Sequence, residues 1–181
     1  MQINVYPESD KPELVKAASE YTEIWKKDGK IIIQAIEETS NLKFKTKIIN
    51  AVTFDGTSFS LPLRLRYSYD IVHKEATLIH ELCYRLMTDN YFYIFDHTNL
   101  SEDIHKIIDL ILYDIWVKIL GEKIAKESIE KEIGYGDPVY KNAWEWALGF
   151  TKDARKEKFA EMVVKYSNHP KRKPPEAIVP V

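Results

Sequence analysis

The chain has 181 residues, a length that suits one domain built around a single hydrophobic core. Hydrophobic residues make up 45% of the sequence and charged residues 30%, a balance typical of packed globular proteins and not of disordered or fibrous chains. The formal net charge of −2 provides no strong field toward nucleic acid or an anionic membrane, so neither partner is expected.

Cysteine content and apolar patterning bear on cellular location. The single cysteine, Cys83, has no partner for an internal disulfide, and the residues after Met1 do not form a basic segment followed by an apolar one. The longest apolar runs, such as 107–112, are too short to span a bilayer. We therefore expect a cytoplasmic protein with no membrane segment.

Two helices are predicted in the first 40 residues. An N-cap pattern at Asp10 and apolar residues at helical spacing predict a first helix that runs to about Lys27. The Asp-Gly pair at 28–29 favours a break. The isoleucines at 31–33 indicate a second, shorter helix ending near Ser40, although a strand is the alternative at these positions.

A pair of antiparallel strands is predicted next. The segment 44–54 is rich in β-branched and aromatic residues, and the Asp-Gly pair at 55–56 is a preferred hairpin turn. Strict alternation of apolar and polar residues over 58–67 predicts a return strand with one buried face. The residues expected to be buried are Leu61, Leu63 and Leu65, and those expected to be exposed are Arg64 and Arg66.

The position of the return strand in the sheet follows from Pro62. A proline has no N–H to donate to a strand ladder, so this strand is predicted to lie at a sheet edge. An edge strand is able to pair with an extended peptide. We therefore expect a peptide or protein segment to bind along the strand from Leu61 to Tyr67.

From Asp70 onward the pattern is helical. Capping residues such as Ser101 and Asp137 support several of the helix starts. A single domain is predicted over 1–168, followed by a flexible, basic and proline-rich tail over 169–181. The predicted helices are 71–88, 102–120, 122–133, 138–149 and 152–167.

A line of polar residues runs down the first of these helices beside its apolar stripe. At about 100° per residue, His73, Thr77, His80 and Tyr84 share one narrow sector, and Glu81 projects to its side. Imidazole and carboxylate groups in this arrangement are candidate metal ligands or general bases.

The stretch His80-Glu81-Leu82-Cys83-Tyr84 resembles the His-Glu-x-x-His helix of the zincin metallopeptidases, with Tyr84 at the second His position. The resemblance implies that His80 binds Zn²⁺, that Glu81 is the general base, and that Tyr84 stands where a further ligand belongs. It also implies a zincin-like α+β fold, with an edge strand before this helix and a helical C-terminal half.

The similarity covers about 44–120 and is closest to the small gluzincins. In that group a second helix supplies the third ligand, usually Glu, and an Asp one turn later that hydrogen-bonds the first ligand His. The matching residues here are His105 and Asp109, so His80 and His105 are expected to face each other across two packed helices, with Asp109 within hydrogen-bonding reach of His80. Asp109 lies on an otherwise apolar helix face and therefore needs a partner, and a ligand His is one such partner.

The resemblance implies a metallopeptidase-like protein with a degenerate zinc site, in which the neutral phenol of Tyr84 is a poor ligand and peptide hydrolysis is weak or absent. One alternative is a non-catalytic module that binds a peptide or protein on the same scaffold. A second is a helical interaction module unrelated to peptidases.

Ordinary structural roles are also consistent with these residues. Glu81 and Arg85 have the i, i+4 spacing of a helix-surface ion pair. His80 alone suits a hydrogen-bonded core histidine, and Tyr84 suits a boundary position where its ring packs and its hydroxyl meets water. His73 is expected to be a solvated residue of the first helical turn.

Overall fold

The computed structural model describes residues 1–90 and 100–167, and the predicted tail at 169–181 lies outside them. Six helices and three strands make up the described part of the chain, so the predicted mixed α+β class is confirmed. The elements are β1 (Gln2–Pro7), α1 (Pro12–Ser40), β2 (Ile48–Phe54), β3 (Leu63–Arg66), α2 (Ile71–Asp89), α3 (Leu100–Leu120), α4 (Glu122–Ile133), α5 (Pro138–Leu148) and α6 (Lys152–Ser167).

Helix α1 is continuous, so the predicted break at 28–29 is wrong. Its buried stripe runs through from Leu14 to Ile36 without losing phase, and this packing outweighs the low helix propensity of a single glycine. Gly29 is buried, and a Cβ at this position would lie 2.8 Å from the ring of Trp25. The glycine therefore makes room for an indole and does not end the helix.

The sheet has the order β1-β2-β3, and both pairs of strands are parallel. The predicted antiparallel pair is therefore wrong, and strand β1 was not predicted at all. The segment that alternates over 58–67 turns back on itself between Phe59 and Arg64, which form an isolated antiparallel bridge. Alternation alone does not distinguish a straight strand from one that reverses direction, because side chains keep their period of two on both arms.

Strand β3 is the last strand in the sheet order, as the proline predicted. Leu63 and Leu65 are buried, as predicted, and both arginines of the strand are partly exposed. Leu61 is 50% exposed, so its predicted burial is wrong. It precedes the strand, in the reversal that brings the chain back.

The five predicted helices of the C-terminal half are all present, with starts and ends within two residues of those expected. Helix α3 lies in the middle of this half, in contact with α1, α2, α4, α5 and α6. Its apolar residues are buried almost all round, as its composition indicates. Within the described ranges, no helix combines the length and apolarity needed to cross a membrane.

Candidate functional site

Helix α2 begins at an N-cap, Asp70, whose side chain accepts a hydrogen bond from the backbone N–H of His73 at 3.0 Å. His73 was expected to be solvated, but it is only 9% exposed, and its Nδ1 lies 2.7 Å from the Asp70 carboxylate. Two turns further along, His80 and Glu81 are each only 7% exposed. The helix thus places a histidine and a carboxylate side by side, and both are buried.

Glu132 on helix α4 holds the ring of His80. Its Oε1 lies 2.6 Å from His80 Nδ1, and its Oε2 accepts a hydrogen bond from the indole Nε1 of Trp144 at 2.8 Å. Burial disfavours the charged imidazolium, but the charge and hydrogen bond of Glu132 outweigh it and raise the pKa of His80 to about 9. His80 is therefore a cation at neutral pH, paired with the Glu132 carboxylate.

The second ring nitrogen of His80, Nε2, has a different environment from Nδ1. His80 Nε2 is buried and has no hydrogen-bond partner among the residues that the structure describes. A buried polar atom without a partner costs about 1–3 kcal/mol, more when it is charged, and such atoms often mark the position of a water molecule or an ion.

Helix α3 brings His105 to the same place. The ring centroids of His80 and His105 are 5.8 Å apart, so the predicted meeting of the two imidazoles is confirmed. The hydroxyl of Tyr84 lies 2.8 Å from His105 Nε2, and the ring of Tyr140 contacts His105 at 4.7 Å between centroids. Tyr84 therefore bonds the second imidazole as well as packing beside the first.

Asp109 does not orient His80, and this part of the prediction is wrong. Both of its carboxylate oxygens are buried without a hydrogen-bond partner in the described part of the chain. Glu132 forms the hydrogen bond with Nδ1 of His80 instead, and this role of Glu132 was not predicted from the sequence. Burial, together with the negative charge of Glu132, raises the pKa of Asp109 well above its ordinary value. Burial therefore favours the protonated form of Asp109.

Glu132 could have been found from the sequence. Ala125, Ser128, Ile129 and Glu132 recur with the spacing of one helix face, and all four are buried. A carboxylate at the end of such a stripe faces the core and needs a partner. The partner itself, 52 residues earlier, was beyond any pattern of spacing.

Glu81 is the acid nearest to the expected chemistry. Burial raises its pKa to about 7, and although the charge of His80 opposes this, the charge of Glu132 adds to it. The alternative ion pair with Arg85 is wrong, because across residues 1–90 and 100–167 no such pair forms and Arg85 instead donates to the backbone oxygen of Ser60 at 3.0 Å. A carboxyl group with a pKa near 7 suits a proton acceptor or donor at neutral pH.

Glu81 and His80 line a small cavity of about 40 Å³. The sides of the cavity come from α2 and the residue before its N-cap, from the end of α4, from the start of α5 and from the loop between β2 and β3. The other residues around it are Thr57, Ser58, Tyr69, Thr77, Glu132, Tyr135 and Tyr140.

The side chains offer only an incomplete set of metal ligands. Over the described ranges, no group of three or more His, Cys, Asp or Glu residues is arranged to hold a metal ion. The two imidazoles lie close together, and Nε2 of His80 is buried without a hydrogen-bond partner in the described part of the chain. Tyr84 lies beside both, and its pKa is raised well above its ordinary value, chiefly by burial. These side chains therefore supply two imidazoles and a neutral phenol, which is one strong ligand fewer than zinc sites normally use.

Comparison of the chain with protein-family models, curated proteins and solved structures gave no match.

Proposed function

We propose that this chain is a metallopeptidase-like protein with a degenerate zinc site, in which peptide hydrolysis is weak or absent. The observation that supports it is the state of His80, whose Nδ1 is held by Glu132 while its Nε2 is buried and without a partner among the described residues. A histidine that ligates a metal almost always makes this kind of hydrogen bond through its other nitrogen, because the bond sets the tautomer and the ring orientation.

His80 and His105 would hold the zinc, with Tyr84 as the third protein residue. Zinc must displace a proton from the His80 cation, and two further features make this binding weak. The phenol of Tyr84 stays neutral because its pKa is raised, and a neutral phenol is a poor donor. Its hydroxyl also occupies His105 Nε2, so zinc binding costs that hydrogen bond.

The protein side chains have distinct roles in this proposal. Bound zinc would supply a Lewis acid and lower the pKa of a water molecule. Glu81 accepts a proton in the cavity, for which a pKa near 7 is suited, and Glu132 keeps His80 in one orientation. Without a third strong ligand the ion is easily lost, so turnover is low.

Zinc affinity of the natural chain and of Tyr84→His tests the proposal, measured by equilibrium dialysis on protein without a His-tag. The substitution supplies a third nitrogen ligand, so we expect zinc to bind at least about tenfold more tightly. Tyr84→Phe is the matched control, because it removes the hydrogen bond between Tyr84 and His105 without adding a ligand, and its affinity should stay below that of Tyr84→His.

Glu81→Gln in the Tyr84→His background then separates binding from catalysis. It should leave zinc bound and abolish any peptidase activity gained, because only the proton acceptor is lost. The proposal fails if the natural chain and Tyr84→His show the same negligible zinc binding.

A non-catalytic module that binds a peptide is the second candidate, and the hydrogen bond between Tyr84 and His105 favours it. This bond gives His105 a protein partner that does not depend on a metal ion. A peptide that binds equally well in EDTA and in zinc would support this candidate over the first.

A further inference from the structure

The outer edge of strand β3 is already paired, although β3 is the last strand in the sheet order. Phe59 and Arg64 exchange both of their backbone hydrogen bonds, Phe59 N to Arg64 O at 3.0 Å and Arg64 N to Phe59 O at 2.8 Å. The bridge is antiparallel, the same geometry in which an added peptide pairs with an edge strand. Residues 57–60, called the strap below, therefore lie where such a peptide would lie.

The backbone groups of Arg66, the next outward-facing residue of β3, also have hydrogen-bond partners. The N–H of Arg66 donates to Ser58 Oγ at 2.8 Å, and its carbonyl accepts from the hydroxyl of Tyr21 at 3.0 Å. At the other end of the strap, Arg85 of helix α2 donates to the carbonyl of Ser60 at 3.0 Å. Arg64 and Arg66 thus have no backbone group left to offer an incoming chain.

Side-chain contacts hold the strap more loosely. The ring of Phe59 meets Phe54 edge-on at 5.8 Å, and the guanidinium of Arg64 lies over both rings, at 4.2 Å from Phe54 and 5.9 Å from Phe59. Phe59 nevertheless remains 40% exposed, so burial of its ring contributes less than that of a core phenylalanine. A segment held by a few hydrogen bonds and one half-exposed ring opens at modest cost.

The strap also closes the cavity at the candidate site. Thr57 and Ser58 line the cavity of about 40 Å³ together with His80 and Glu81. One water molecule takes up about 30 Å³ of liquid, so this space has no room for a peptide residue. Movement of Thr57 and Ser58 away from the wall would enlarge the cavity.

We propose that the strap is a built-in occupant of the peptide position on β3, so that an extended peptide reaches the cavity only after residues 57–60 have moved away. The ligand is an extended segment that runs antiparallel to β3 and replaces the backbone bonds of Phe59. The role of the cavity rests on the proposed function. The opening of the strap does not, and it is measured separately.

Hydrogen exchange of the Arg64 and Arg66 amides, followed by NMR, measures the opening. Ser58→Ala combined with Phe59→Pro removes the acceptor of Arg66 N–H and the N–H that bonds Arg64 O. Exchange at both amides should become at least about tenfold faster, while amides of α2 and α3 keep their protection. Phe59→Leu is the matched control, because it keeps both backbone bonds and an apolar side chain, and it should exchange like the natural chain.

Binding is measured with a fluorescent synthetic peptide that copies residues 55–61, by fluorescence anisotropy in EDTA. The opened variant should bind it at least about tenfold more tightly than the natural chain or Phe59→Leu, because the peptide restores the lost pairing in trans. If the double variant does not fold, replacing residues 57–60 by Gly-Ser-Gly-Ser provides a second opened protein for both measurements.

Two results would overturn the proposal. One is an Arg64 amide in the natural chain that exchanges as fast as an unprotected peptide. The other is an opened variant that exchanges rapidly but binds the peptide no better than the natural chain. Zinc affinity enters neither criterion, so failure of the zinc site and failure of the strap are distinguished.

Discussion

Replacing Glu132 with glutamine keeps the shape of the side chain and removes the charge that His80 pairs with. In the folded protein the carboxylate accepts from both His80 and the Trp144 indole. An amide has only one oxygen, so one of these two bonds loses its acceptor. Burial then favours the neutral form of His80, because the charge and hydrogen bond that chiefly compensate its own charge are gone.

The size of the effect follows from the pKa of His80, which rises from its ordinary value of 6.5 to about 9 and so corresponds to about 3 kcal/mol of stability. Because the folded state binds this proton more tightly, the contribution is complete below the unfolded pKa of 6.5 and is lost as the pH rises through about 9. Glu81, with its pKa raised to about 7, acts in the same direction but mainly at lower pH. Above pH 7 the difference in free energy of unfolding between the natural chain and Glu132→Gln therefore reports chiefly on His80.

Urea unfolding in EDTA, followed by circular dichroism, measures the free energy of unfolding at pH 7 and pH 9.5. Glu132→Gln should be about 3 kcal/mol less stable than the natural chain at pH 7, and only about 1 kcal/mol less stable at pH 9.5. Glu130→Gln, an exposed position on the same helix, is the matched control and should stay within about 0.5 kcal/mol at both pH values. A deficit for Glu132→Gln that does not change with pH would refute the ionic pairing of His80 with Glu132.

Two further substitutions have expected outcomes. Asp109→Asn should change the free energy of unfolding more favourably at pH 8 than at pH 5, because the raised pKa of this buried acid makes the natural chain lose stability as the pH rises, whereas asparagine does not titrate. Urea unfolding at the two pH values tests this, and an effect independent of pH would contradict it. Gly29→Ala should not give the usual gain of about 0.5–1 kcal/mol for a helical glycine, because the new Cβ meets the Trp25 ring at 2.8 Å. Thermal unfolding should show that gain only in the Trp25→Ala background, and a gain in the natural background would disprove the steric explanation.

Local patterns in the sequence were enough to predict the helices of the C-terminal half. Their apolar residues repeat with the helical period, and caps such as Asp137 mark their starts, so the information lies within a few residues of where it acts. The buried leucines of β3 and its place at the end of the sheet follow from the same kind of local signal, since Pro62 weakens pairing on one side.

The N-terminal half depended on contacts that no local pattern contains. The low helix propensity of Gly29 favours a break, but the packing of α1 against the sheet stabilises the helix by more than a single glycine destabilises it. The residues over 58–67 alternate as a strand should, yet they reverse direction so that β3 lies between β2 and the strap. Alternation specifies faces and not strand direction, so tertiary pairing decided between parallel and antiparallel.

The candidate site also combines features set by the local sequence with features set by helix packing. The sequence determined that His80, Glu81 and Tyr84 share one helix, because their relative directions follow from 100° of rotation per residue. The meeting of His80 with His105 was predicted from the family resemblance, but the choice of Glu132 over Asp109 as the partner of His80 was decided by how α2, α3 and α4 pack. A buried charge takes the partner that reaches it at hydrogen-bond distance, and that distance is set by the packing of whole helices and not by the spacing of residues along any one of them.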